Sequence, residues 1–119
     1  MKINNDLIEK DTYSTTEVKT NKVWIDGKPI YRKVVFDSLR KSGTIHIQHG
    51  ITNLDRMVNI YGSVQREDYQ YNLTRISTDG LNFGVDGIHS TYFDMAIPSA
   101  FGNSLKNLYV VFEYTKTTD

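Results

Sequence analysis

Three Asp-Gly dipeptides divide the chain, at residues 26–27, 79–80 and 86–87, and they constrain the fold more than any other feature. Asp-Gly tolerates the positive φ angles that a tight hairpin turn requires. The first two dipeptides lie between runs of β-favouring residues, and the third precedes Ile88. The sequence therefore predicts two hairpins and a further turn, a pattern that is typical of antiparallel sheet.

The first hairpin has two possible registers. With the Asp-Gly pair at the centre of the turn, Trp24 lies opposite Pro29. With the following Gly-Lys pair at the centre, Trp24 lies opposite Tyr31 and Ile25 lies opposite Ile30. Cross-strand energetics favour the second register, because it pairs an aromatic with an aromatic and an aliphatic with an aliphatic side chain.

The rest of the chain continues in short runs, and we expect about seven to nine strands with a turn every ten or so residues. Residues 57–65 alternate most clearly, with Val58, Ile60 and Val64 on one face. Residues 52–56 suggest a single helical turn, and residues 7–8 near the start of the chain suggest another. The predicted fold is all-β, an antiparallel β-sandwich or jelly-roll-like domain.

Residues 108–115 read as a strand that is apolar on both faces. One face carries Leu108, Val110, Phe112 and Tyr114, and the other carries Tyr109 and Val111. Such a strand is either central in a sandwich or has its outer face covered by another subunit. Tyr109 and Val111 are therefore the candidate oligomer interface.

Composition limits the classes of function. The 119 residues fit one domain, which we place at residues 13–119 after a tether or linker at residues 1–12. A formal net charge of zero argues against a nucleic-acid partner. No apolar run is long enough for membrane insertion, and residues 1–10 have no hydrophobic segment of the signal-peptide kind. The sequence has no cysteine, which excludes disulfides and thiolate sites.

The chain offers little for catalysis or for a metal. The three histidines, His46, His49 and His89, would need to converge with a carboxylate such as Asp86, and their spacing does not favour this. We therefore expect no metal site and no other cofactor. No catalytic motif is present, and a chain of this size has no obvious cleft-building insertion, so we expect no enzyme activity.

Two predicted loops combine charged, amide and aromatic side chains, a mixture that suits sugar recognition. The loop at residues 66–71 provides Glu67, Asp68, Tyr69 and Tyr71. The loop at residues 86–92 provides Asp86, His89 and Tyr92. These seven residues are the candidate ligand-binding set.

Several stretches are similar to a pattern that recurs in phage tail-fibre and head-fibre proteins. Residues 13–17 (YSTTE) and 24–33 (WIDGKPIYRK) resemble the family's YSTxE…WIDGKPxYxK, and residues 49–55 (HGITNLD) resemble its HGIxNxD. Residues 112–119 (FEYTKTTD) resemble its terminal EYTKTTD. The middle of the chain, residues 62–105, is not covered by the resemblance.

The resemblance implies a C-terminal β module of a phage receptor-binding protein, made in the host cytoplasm and carried on the virion surface. It implies a homotrimer whose distal domain binds a host-cell-surface receptor. That receptor is a glycan or a protein, and the two loops favour a glycan. Two alternatives stay open: a purely structural cap or trimerisation module that ends a fibre, and a polysaccharide depolymerase, which we do not expect.

Overall fold

The computed structural model describes residues 12–38, 43–67, 69–73, 84–97 and 105–118, and within them it contains eight strands and no helix. The strands are β1 (Val18–Val23), β2 (Pro29–Asp37), β3 (Gly43–Gln48), β4 (Leu54–Arg66), β5 (Tyr69–Asn72), β6 (Gly84–Ile88), β7 (Tyr92–Ile97) and β8 (Leu105–Lys116). None of the described residues belongs to a helix that could cross a membrane.

The strands form two antiparallel sheets, which confirms the predicted all-β, sandwich-like fold. The larger sheet has the order β1-β2-β8-β4-β5, and the smaller has the order β3-β7-β6. One hydrophobic core contains residues of both sheets. The asymmetry of five strands against three means that the smaller sheet covers only part of the larger one.

β8 is the middle strand of the larger sheet, which is one of the two positions expected of a strand that is apolar on both faces. Its core-facing side chains are completely buried: Leu108, Val110, Phe112 and Tyr114. Phe112 meets Phe93 of the smaller sheet edge to face, with ring centroids 5.1 Å apart. Burying each such side chain contributes about 1.5–3 kcal/mol, so β8 is the main source of the core's stability.

The opposite face of β8 carries a buried ion pair. Arg32 Nε donates to Glu113 Oε2 over 2.9 Å, and both residues are more than nine-tenths buried. Tyr61 Oη also donates to Glu113, and the ring of Tyr13 lies 4.7 Å from the guanidinium. Burial lowers the pKa of Arg32, but the hydrogen bond and the charge of Glu113 outweigh it and raise the pKa overall.

The first hairpin adopts neither predicted register. Trp24 N–H donates to Lys28 O and Gly27 N–H donates to Trp24 O, so Trp24 lies opposite Lys28 and three residues form the loop. Gly27 has φ of +89°, and Asp26 Oδ1 accepts from Lys28 N–H. Ile25 is 89% exposed, so the expected pairing of Ile25 with Ile30 is wrong. A three-residue loop that ends in a left-handed glycine is the alternative to the two-residue turn that we expected.

Two further local predictions are wrong. Residues 52–56 form no helical turn, because β4 already begins at Leu54 and pairs with the end of β8. Asp86 and Gly87 lie within β6 rather than in a turn, at a register irregularity opposite β7. The predicted turn at residues 79–80 and most of the tether at residues 1–12 lie outside the described residues.

β4 keeps two of the three apolar residues predicted for its buried face. Ile60 and Val64 pack on the core, but a register shift between Met57 and Asn59 places Met57 on the core in the position expected of Val58. Bulges re-aim side chains in this way because the extra residue breaks the two-residue alternation.

Glycine is required at position 62, where β4 approaches β8. Gly62 has φ of +152°, and a Cβ placed there would lie 1.9 Å from Tyr109 O. We expect Gly62→Ala to lower the free energy of unfolding by at least about 2–3 kcal/mol, because the two most extensively paired strands would have to separate. Urea unfolding followed by circular dichroism measures the change.

Gly87→Ala is the matched control, because a Cβ there would lie 3.6 Å from its nearest neighbour, an ordinary contact. A Gly62→Ala variant as stable as Gly87→Ala would contradict the assigned β4–β8 register.

Candidate functional site

The tip of the β4–β5 hairpin presents an exposed aromatic ring. Tyr69 pairs with Arg66 across a tight turn in which Glu67 has φ of +45°. Tyr69 is 62% exposed and stacks on Tyr71, with centroids 6.4 Å apart and planes 20° from parallel. Tyr71 in turn packs against the core. Tyr71 therefore supports the Tyr69 ring, and the Tyr69 ring is accessible to a ligand.

Such a ring can act as a stacking platform. Tyrosine combines a large apolar face with a hydroxyl, which is the combination that suits the mixed polar and apolar surface of a sugar. Glu67 and Gln70 are exposed on either side of Tyr69, so a carboxylate and an amide lie beside it in the chain. Asp68, the remaining residue predicted here, lies outside the described residues.

A second group of functional side chains lies on the outer face of the smaller sheet. His46 Nδ1 lies 2.5 Å from Asp94 Oδ1, and His89 Nε2 lies 2.8 Å from Asp94 Oδ2. The Asp94 side chain is 18% exposed, against 64% for His46 and 44% for His89. One carboxylate of β7 thus accepts from an imidazole on each side, and it links three neighbouring chain segments.

Tyr92 completes this cluster. Its ring stacks on His89 with centroids 4.3 Å apart and meets the edge of His46 at 4.9 Å. The stacked imidazole covers one face of the Tyr92 ring. Tyr92 is therefore less free to stack on a ligand than Tyr69.

The cluster does not form a metal centre. The two imidazoles approach different oxygens of Asp94, His46 from β3 and His89 from the residue after β6, so the carboxylate lies between the nitrogens. Consistent with this, no group of three or more metal-ligating side chains is arranged around a common point in the described residues. The hydrogen bonds explain the convergence of His46 and His89 without a cation.

The third histidine, His49, supports the cluster from inside. It is 1% exposed, its Nδ1 accepts from Ile51 N–H, and its Nε2 donates to His89 O over 2.7 Å. These two bonds require the neutral form with its proton on Nε2. His49 N–H also donates to Thr91 O, so this residue holds the turn between β6 and β7 that positions His89.

The structure separates the two predicted binding loops. Arg66, at the tip of the β4–β5 hairpin, pairs with Leu105 at the start of β8. His49 packs against Phe112, about seven residues and roughly 23 Å further along β8. Asp86 is exposed at the β6 irregularity. The six candidate residues that the structure describes therefore belong to two surfaces.

The outer face of the larger sheet carries the candidate oligomer interface. Tyr109 is 47% exposed and packs against Phe36, which is 45% exposed, with centroids 4.8 Å apart. Val111 is buried, so only a small part of it is available to a partner. Phe36 joins the candidate set, because the β2–β8 register places it directly opposite Tyr109.

Two residues of the cluster on the smaller sheet, Asp94 and His46, were not in the predicted ligand-binding set, and the sequence indicates the face of each but not their contact. Alternation within β7 and within β3 places Asp94 and His46 on solvent-facing positions. Their meeting depends on the β3–β7 register, which pairs them directly. Period-two patterning gives the face of each residue but gives no register between strands that are 48 positions apart.

Comparison with protein-family models, with curated proteins and with solved structures finds no match to this chain.

The Asp94 cluster gives a pH-dependent prediction. The hydrogen bond from His89, followed by that from His46, lowers the pKa of Asp94 below its ordinary value. A lowered pKa contributes stability above the unfolded-state pKa of about 4, and this contribution is lost as the pH falls through the folded-state value. We expect wild type to exceed Asp94→Asn in stability at pH 5–6 and to approach it below pH 4.

Urea unfolding between pH 6 and pH 2.5 measures this convergence, with Asp86→Asn as a control for loss of an exposed carboxylate in the same sheet. A constant difference between wild type and Asp94→Asn across the range would show that the carboxylate is not charge-coupled to the imidazoles.

Proposed function

We propose that this chain is the distal domain of a virion surface fibre, a tail or head fibre of a phage, and that it binds a host-cell-surface glycan as a homotrimer. Two independent lines support the proposal. One is the resemblance of residues 13–33, 49–55 and 112–119 to phage fibre modules. The other is the pair of exposed aromatic surfaces described above.

The observation that carries glycan binding is the exposure of Tyr69 on a rigid support. Tyr69 lies at the end of the hairpin between the long strand β4 and the edge strand β5. Stacking on Tyr71 and the tight turn at Glu67 limit its conformational freedom. A preorganised ring loses little entropy when a ligand stacks on it, so it contributes more to affinity than a mobile one.

The observation that supports self-association is the Phe36–Tyr109 pair. Both rings lie on the outer face of the larger sheet, and each is about half exposed. Large aromatic side chains are enriched at subunit interfaces, where they bury much area per residue. The two rings lie on β2 and on the central strand β8, which gives them a rigid base.

Tyr69→Ala tests the binding surface. We expect it to weaken binding to an array of bacterial cell-surface glycans by at least about tenfold, equivalent to about 1.4 kcal/mol, because truncation removes the stacking ring. The Tyr71 ring packs on the core, so Tyr71 is left unchanged to keep the fold intact.

Ile25→Ala is the control, because Ile25 is 89% exposed in a different hairpin and should bind as wild type does. Equal binding by Tyr69→Ala and wild type would overturn the assignment of the surface. A wild-type trimer that binds no surface glycan or host cell would instead favour the structural role of a fibre cap.

Tyr109→Lys tests the trimer. Light scattering of wild type at micromolar concentration should give the mass of three chains or a multiple of it, and we expect Tyr109→Lys to give a smaller mass because a charge would be buried in the interface. Tyr69→Ala should keep the wild-type mass. A monomeric wild-type chain would contradict the proposal of a homotrimer.

A further inference from the structure

Three of the four strands at sheet edges carry features that block pairing with another chain. β1 has two lysines, Lys19 and Lys22, and an irregular register against β2. β5 has four residues, and β6 contains the irregularity at Asp86. Charged residues, short length and bulges are the usual means by which proteins protect exposed sheet edges.

β3 has none of these features. Its sequence, GTIHIQ, contains no proline and no lysine, arginine, aspartate or glutamate. All six residues pair with β7 in unbroken register. In the described part of the chain no strand pairs with its other side. β3 is therefore an edge that is regularly paired on its inner side and carries no lysine, arginine, aspartate or glutamate.

The hydrogen bonding of the β3–β7 ladder determines which backbone groups lie along this edge. His49 N–H donates to Thr91 O in the continuation of the ladder, so His49 forms a hydrogen-bonded pair with β7. Hydrogen-bonded pairs recur every second residue in an antiparallel ladder. Ile45 and Ile47 therefore bond to β7, and the N–H and C=O groups of the alternate residues point away from it. These alternate residues are Thr44, His46 and Gln48.

We propose that the β3 edge pairs with β3 of a second copy of this chain, antiparallel and with His46 on the two-fold axis. In this register His46 lies opposite His46 of the second copy, and Thr44 lies opposite Gln48. The Thr44–Gln48 pair occurs twice, once on each side of the axis, so three pairs of edge-facing residues form about six inter-chain hydrogen bonds. The two smaller sheets then become one six-stranded sheet.

The side chains agree with the same register. Ile45 lies opposite Ile47 of the second copy on the core-facing side, and the polar residues lie opposite one another on the outer side. Apolar opposite apolar and polar opposite polar is the favourable cross-strand arrangement. A two-fold contact of this kind is self-complementary, since each copy offers the same strand. The His46 side chain keeps its bond to Asp94, because pairing uses backbone groups only.

This contact does not depend on the proposed trimer. It uses the edge of the smaller sheet, whereas the trimer proposal uses Phe36 and Tyr109 on the outer face of the larger one. A variant that removes one contact therefore leaves the other in place, and the two proposals can fail separately.

Single-cysteine crosslinking tests the register, because the wild-type chain has no cysteine. Opposed residues of an antiparallel pair lie within disulfide range, whereas a shift of four residues moves them about 13 Å apart. Under mild oxidation we expect His46→Cys to form a disulfide-linked dimer and Gln48→Cys alone to form little. A mixture of Thr44→Cys and Gln48→Cys should form the mixed dimer.

Ile25→Cys, at an exposed site in the first hairpin, gives the background from random collision. The Thr44 and Gln48 variants keep His46 and its bond to Asp94, so they separate the register from any effect of losing that imidazole. Crosslinking of the mixture at the Ile25→Cys background, or of Gln48→Cys alone as strongly as the mixture, would overturn the proposal.

Gln48→Pro provides a measurement without crosslinking. The Gln48 N–H points to the free edge, so proline removes an inter-chain donor without breaking a bond to β7. Sedimentation equilibrium should show the two-fold association weakened at least about tenfold, while the Tyr109-dependent association is unchanged. An unchanged two-fold association constant would contradict pairing along this edge.

Discussion

The pairing of β8 with two long neighbours is the constraint on which the rest of the structure depends. β2 and β4 both pair with β8. On its other side β2 pairs with the edge strand β1, and β4 pairs with the edge strand β5. The core-facing residues of β8 are completely buried beneath the smaller sheet. Every strand of the larger sheet therefore derives its position from β8, either directly or through one neighbour. This is also why the close approach at Gly62 matters for the whole sandwich.

The opposite face of β8 imposes a second constraint through charge. Arg32 and Glu113 are paired across the β2–β8 ladder and are both buried. Leaving either charge without its partner would cost about 3–5 kcal/mol, so a register slip between these strands is strongly disfavoured. Burial, and then the hydrogen bond to Tyr13, raise the pKa of Tyr61, which keeps its hydroxyl protonated as a donor to Glu113. The ion pair thus specifies register more than it adds stability.

The sequence predicts the strands well and their relative registers poorly. The all-β class and the central position of β8 follow from alternation and from apolarity on both faces, which are properties of single segments. The first hairpin was misjudged because a left-handed Gly27 and an Asp26 side-chain bond stabilise a loop one residue longer than expected. The Asp94 cluster needs the register of segments far apart in the chain, and no local pattern encodes it. Tyr69 and Tyr109 could be predicted as candidates because exposure at a tip or on an outer face follows from local alternation.

The distribution of protected and unprotected surface separates recognition from assembly. The tip of the β4–β5 hairpin carries the exposed Tyr69 ring, with Tyr71 stacked on it and with the exposed polar residues Glu67 and Gln70 nearby in the chain, a surface suited to weak, specific contact with a polar ligand. The β3 edge carries aligned backbone groups and alternating isoleucines, a surface suited to another strand. β1 is protected against pairing by its lysines, β5 by its short length and β6 by its irregularity, whereas β3 has no such protection. In the part of the chain that the structure describes, β3 is the sheet edge without such a feature, which is the pattern expected of an edge that pairs with a second copy.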